Sequence, residues 1–276
     1  MQAQRYPLLL ALLLALLLPA CVAPGSLGID DDDSAPGGAG GGGDDDDSGP
    51  NSTVAEVVLT TADGLSLAAR WHDAGLDFAG PAVLLLHQYG RDRNDYSQMF
   101  PIFEREGIST LAIDFRSHGA SDAAAVAQEE LLSDPNQLIH DLRAGLDFLA
   151  AQEGVVADGH VGVLGLSVGA NMAVVANHMA NVEEDWAIRT TVSVSPRLSA
   201  VYVLAGTETL DLDSGLYVAA DDEQPQADDC VTLEGLTGLP ANSQLVSSTN
   251  AAHGVELLER SNDVREGIVR WFADWL

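Results

Sequence analysis

The chain has 276 residues, 46% of them hydrophobic, and sets 42 Asp and Glu against 12 basic residues, all arginine, for a formal net charge of −30. With no basic face to release counterions from a phosphate backbone, nucleic acid is a poor partner, and direct docking on an anionic membrane is equally disfavoured. The length suffices for one full core, and two cysteines, Cys21 and Cys230, are too few for a disulfide framework.

Arg5 precedes an almost pure Leu/Ala run, Pro7 to Leu18, which is short for a bilayer span and has the layout of a secretory signal peptide over residues 1–20. The following Leu18-Pro19-Ala20-Cys21 resembles a bacterial lipobox, which implies that Cys21 is acylated and becomes the new N-terminus. Residues 21–53 contain two Asp quartets, Asp30–Asp33 and Asp44–Asp47, around a glycine run. Such a segment has no apolar surface to offset its ordering entropy and reads as a solvated, self-repelling tether. The protein is therefore expected to be exported and held at the cell envelope, at the outer membrane or facing the periplasm, through its lipid alone.

Residues 54–276 have globular composition. Val54 to Leu59 and Leu65 to Trp71 flank Asp63-Gly64 as a hairpin, and the apolar run Ala82 to Leu86 predicts a strand buried on both faces. A helix is expected over Asp95 to Glu106, a strand over Ile108 to Ile113, and a helix over Asp134 to Gln152. A strand at Val161 follows, with a helix running from the turn after it to about Ala180. Thr190 to Val194, Leu216 to Ala219 and Gln244 to Ser247 are the remaining strands, and Ile268 to Trp275 the last helix. Alternating strands and helices predict an α/β domain with a mostly parallel sheet covered on both faces, and a site at the carboxyl ends of the strands.

At the centre lies Gly165-Leu166-Ser167-Val168-Gly169. A G-x-S-x-G motif between a strand and a helix marks Ser167 as a candidate nucleophile, lifted clear of the sheet by a strained turn. With LLLHQYG at 84–90, IDFRSHGASD at 113–122 and AAHG at 251–254, the chain resembles the α/β-hydrolase superfamily from Val54 to its last residue. Gln88 and Ser117 stand where members usually carry glycine.

The resemblance implies the order nucleophile, acid, histidine. His253 alone among seven histidines follows the acid region and is the expected base, while His87 and His118 are expected to brace loops. His72, His140, His160 and His178 read as surface or helix-face residues. The oxyanion donors implied are the N–H groups of Val168 and Tyr89. The acid stands three residues beyond a small residue closing its strand, which gives Asp222 counted from Ala219 and Glu223 counted from Ala220. Both stay open, with Asp222 slightly ahead as the commoner residue type.

These readings point to a monomeric serine hydrolase acting on a small carboxylic ester through a Ser-His-acid triad. About twenty residues separate Val194 from Leu216, too few for a lid domain, and this favours small or solvent-presented esters. No metal or other cofactor is expected, because a serine, a histidine and backbone donors need no Lewis acid. The reading from a different class is a surface lipoprotein that keeps the fold as a binding or structural module without turnover.

Overall fold

A computed structural model describes residues 52–154, 156–183, 185–247 and 251–276. Cys21, the signal segment and the Asp quartets lie outside the described residues.

The hairpin is present as β1 (Thr53–Thr60) and β2 (Ser66–Asp73), closed by Gly64 N–H donating to Thr61 O at 2.9 Å. β3 (Gly80–Leu86) contains the apolar run, and Leu84, Leu85 and Leu86 are each fully buried. Full burial of such a side chain contributes roughly 1.5–3 kcal/mol, so this strand belongs at the centre of a covered sheet. It is followed by α1 (Phe100–Arg105), β4 (Ser109–Ile113), α2 (Leu138–Ala150), β5 (Val156–Leu166) and α3 (Val168–Val182). Next come β6 (Thr190–Val194), α4 (Leu198–Ala205), β7 (Gly215–Ala220), α5 (Gln226–Leu236) and β8 (Ala241–Val246). Two helices, α6 (Val255–Arg260) and α7 (Asn262–Trp275), complete the chain.

The eight strands form one sheet in the order β1-β2-β4-β3-β5-β6-β7-β8. β1 and β2 pair antiparallel with their neighbours, and all pairs from β4 to β8 are parallel. One face packs α2 to α5, through residues such as Leu142, Met172, Val201 and Leu233. The other packs α1, α6 and α7, through Phe103, Leu258 and Phe272. Because β3 has β4 on one side and β5 on the other, the chain leaves β3 in opposite directions, which opens a crevice at the carboxyl ends of β3 and β5.

Two expectations are corrected and three helices are added. The helix read over Asp95 to Glu106 is broken into a 3-10 turn, Arg93–Tyr96, and the short α1, whose start carries Pro101, a residue without a backbone donor. The helices α4, α5 and α6 stand where the sequence predicts no element. His72, expected on the surface or on a helix face, is instead buried on β2 beside Glu104, whereas His160 on β5 is part-exposed.

Candidate active site

β5 hands the chain to α3 through Ser167, whose φ of 55° and ψ of −110° are strained for a residue with a side chain. The turn is compressed from both sides. A β-carbon on Gly165 would lie 1.9 Å from Gly169 O, and one on Gly169 would lie 2.0 Å from Leu86 O, so both positions need glycine. Ser167 N–H is held by Val194 O at 2.9 Å, which ties the elbow to β6.

His253 lies in the segment between β8 and α6. Its Nε2 is 2.7 Å from Ser167 Oγ. Its Nδ1 meets Glu223 Oε1 in a short contact that places the ring proton on Nδ1 and leaves Nε2 to accept from the serine. Glu223 is buried in the turn after β7, where its N–H donates to Ala220 O at 3.1 Å. Of the two carboxylates left open by sequence, Glu223 is the one brought to the histidine. Asp222, slightly favoured there, is instead exposed, and its Oδ2 accepts Ala251 N–H at 3.0 Å. The physical reason is the length of β7: it runs through Ala220, so the register is set one residue later than aspartate requires.

Ser195, which sequence reasoning passed over, and Gln88, noted there only as a replaced glycine, support this line. Ser195 follows β6 and is buried; its Oγ donates to Glu223 Oε2 at 2.8 Å and accepts Gly254 N–H at 2.9 Å. Gln88 Oε1 accepts Val255 N–H at 3.1 Å. The side chain that replaces glycine in the β3 loop thus fastens that loop to the histidine segment.

Val168 and Tyr89 both line a cavity of about 320 Å³ beside Ser167 and His253. Among the described residues, neither backbone N–H is engaged, which leaves two donors free at the serine. α4 contributes Ala200 and Leu204 to the same wall. A depression of similar size at Gly90–Asp95 contains no nucleophile.

His87 and His118 do not touch the serine. His87 is fully buried, accepts Phe115 N–H on Nε2 at 2.9 Å and donates from Nδ1 to Gln88 O at 2.7 Å. Burial pushes its pKa down to about 4, so it is a neutral brace between the β3 and β4 loops. His118 is buried too and donates to Arg116 O at 2.9 Å. Arg116 in turn pairs with Asp141 at 2.8 Å. Among the described residues there is no group of three His, Cys, Asp or Glu placed to hold a metal ion, and Cys230 is a free thiol on the buried face of α5.

A family model described as serine aminopeptidase, S33, matches residues 79–207. Thiohydrolase aneE of Aspergillus aculeatus is 28% identical over 151 residues, 54% of this chain, and the match spans less than half of that relative, 44% of its length. Among solved structures, the Pyrococcus furiosus esterase Pf2001 is similar at a TM-score of 0.61 with 21% identity, over 81% of this chain and 93% of that one. The hyperthermophilic esterase of Pyrobaculum calidifontis is similar at 0.64 with 14% identity, over 80% and 83% of the two chains. The metagenomic carboxylesterase EstE1 is similar at 0.62 with 16% identity, over 80% and 87%. With the sheet order, the elbow and these likenesses in agreement, the chain has the α/β-hydrolase fold.

Proposed function

We propose that the chain is a serine hydrolase that cleaves a small carboxylic ester through an acyl-enzyme. The observation that carries this reading is the unbroken line from Ser167 Oγ through His253 to Glu223, ending at a cavity with two unengaged backbone donors. Ser167 Oγ attacks the carbonyl carbon and passes its proton to His253 Nε2, and the Glu223 carboxylate stabilises the imidazolium so formed. The N–H groups of Val168 and Tyr89 receive the developing oxyanion. The alkoxide then leaves with the proton from His253, and water, deprotonated by the same ring, releases the acid.

Similarity to esterases of known structure supports an oxygen ester, and the small cavity supports a short one. The fungal thiohydrolase makes a thioester the next leaving group to try. Labelling with a fluorophosphonate probe tests the mechanism: wild type should be labelled at Ser167 and Ser167→Ala should not. Equal labelling of the two proteins, or none of either, would overturn it.

The Leu/Ala run and Cys21 support export and lipid anchoring of this hydrolase. Mass spectrometry of the protein from membranes should find an acylated Cys21 at its N-terminus. An unmodified Cys21 in the soluble fraction would count against the anchor.

A further inference from the structure

The cavity beside Ser167 has a charge balance opposite to that of the protein. No carboxylate lines it, whereas Arg197 does, in a chain whose acidic residues number 42 against 12 arginines. Arg70, Arg91, Arg93, Arg105, Arg116 and Arg143 all pair with Asp or Glu. Among the described residues, the Arg197 guanidinium makes no ion pair or hydrogen bond. The turn that carries it is fixed through its backbone: Asn171 Oδ1 accepts Arg197 N–H at 2.8 Å, and Asp229 Oδ2 accepts Leu198 N–H at 3.0 Å. Asp229 therefore reaches this turn without neutralising the arginine.

Gln226, at the start of α5, is a second lining residue with an unmet requirement. Its Oε1 is buried and has no hydrogen-bond partner. A half-turn of the amide exchanges that acceptor for the NH2 group, so the residue can serve as a donor. Leu132, Ala200 and Leu204 supply the apolar part of the wall.

We propose that this cavity selects esters carrying a free carboxylate, bound by Arg197 with Gln226 as a second donor; the inference rests on the serine-hydrolase reading above. A guanidinium presents two parallel N–H groups that match a carboxylate, and an amide donor beside it adds direction. The charge of −30 repels anions at a distance, so a matched cation at the site is what such a substrate requires. A substrate with an ammonium group, as an aminopeptidase would bind, finds no acidic partner in the cavity.

The test uses matched pairs: monoethyl adipate against ethyl hexanoate for a carboxylate on the acyl side, and 4-acetoxybutanoate against butyl acetate for one on the alcohol side. Wild type should prefer the carboxylate ester in at least one pair. Arg197→Gln should lower that ratio of kcat/KM by roughly two- to fivefold, the scale of an ion pair at an exposed arginine. Arg197→Lys should restore part of it, and added salt should erode it. If neutral esters are hydrolysed but neither ratio responds to Arg197, the selectivity is overturned while the hydrolase stands. If no ester is cleaved and the fluorophosphonate leaves Ser167 unlabelled, the hydrolase reading falls and takes the selectivity with it.

Discussion

Ser195 Oγ donates to Glu223 Oε2 at 2.8 Å, on the oxygen of the carboxylate that faces away from His253. The same hydroxyl accepts Gly254 N–H, the residue after the histidine, so one side chain fixes both the acid and the base it orients. Ser195→Ala removes a bond to a charged group, worth roughly 1.5–3 kcal/mol, and leaves two buried groups unpaired. We expect kcat to fall by about tenfold or more, at about 1.4 kcal/mol per decade, with KM little changed because Ser195 acts through Glu223. Steady-state kinetics and the rate of fluorophosphonate labelling should fall together. Unchanged rates in a folded variant would make Ser195 a packing residue.

The adjacent carboxylates should separate cleanly. Glu223→Gln keeps the shape but presents an amide to His253 Nδ1, which favours the wrong tautomer, and in the serine protease template that change costs about 10⁴ in kcat. Among the described residues, Asp222→Asn touches only the Ala251 N–H contact, and its loss should be less than about threefold, as for an exposed polar contact. Comparable losses in both variants would mean that the short His253–Glu223 contact has no part in turnover.

Two glycines should respond in opposite ways to alanine. Gly169→Ala drives a methyl group against the Leu86 carbonyl, a backbone atom that cannot move without disturbing β3, and should cost about 3 kcal/mol or more. Gly235, exposed within α5, has nothing near its added methyl, and Gly235→Ala should stabilise by about 0.5–1 kcal/mol through helix propensity. Urea unfolding of the two variants checks both signs.

What was legible in the sequence follows from how local each signal is. β6 was read with its observed bounds, because five buried residues in a row leave no other reading, and the elbow was read because its five residues form one short motif, although only Gly165 is imposed from within the turn and Gly169 by the distant Leu86 carbonyl. The acid was not resolved, since a strand ending in Ala219-Ala220 can close at either residue, and only pairing of Ala220 with Val246 on β8 decides between them. α5 was missed because Ala227, Cys230 and Leu233 are its only buried residues among acidic neighbours, too faint a stripe to stand out. Ser195 was missed, and the role of Gln88 was not legible, for a different reason. Their partners, Glu223 and Val255, are distant in sequence, and no spacing encodes such a contact.

His87 makes stability depend on pH in a direction that can be worked out. Its folded pKa is lowered by burial to about 4 from an ordinary 6.5, so between those values the unfolded chain binds more protons than the folded one. Stability then rises with pH across this window: the contribution of His87 is fully present above about 6.5 and is lost as the pH falls towards 4. At pH 5 the expected loss is about 2 kcal/mol relative to neutral pH, from the separation of the two pKa values. His87→Gln retains an acceptor near Phe115 N–H but cannot titrate. The variant should be less stable than wild type at pH 7.5, and the gap should close by about 2 kcal/mol on going to pH 5. Urea titrations of both proteins at the two pH values measure this double difference, in which every titrating group common to the pair cancels. A gap that stays constant would mean that folding leaves the His87 pKa unshifted, so that the ring is protonated in the folded protein at pH 5, and the neutral brace between Phe115 and Gln88 would have to be abandoned.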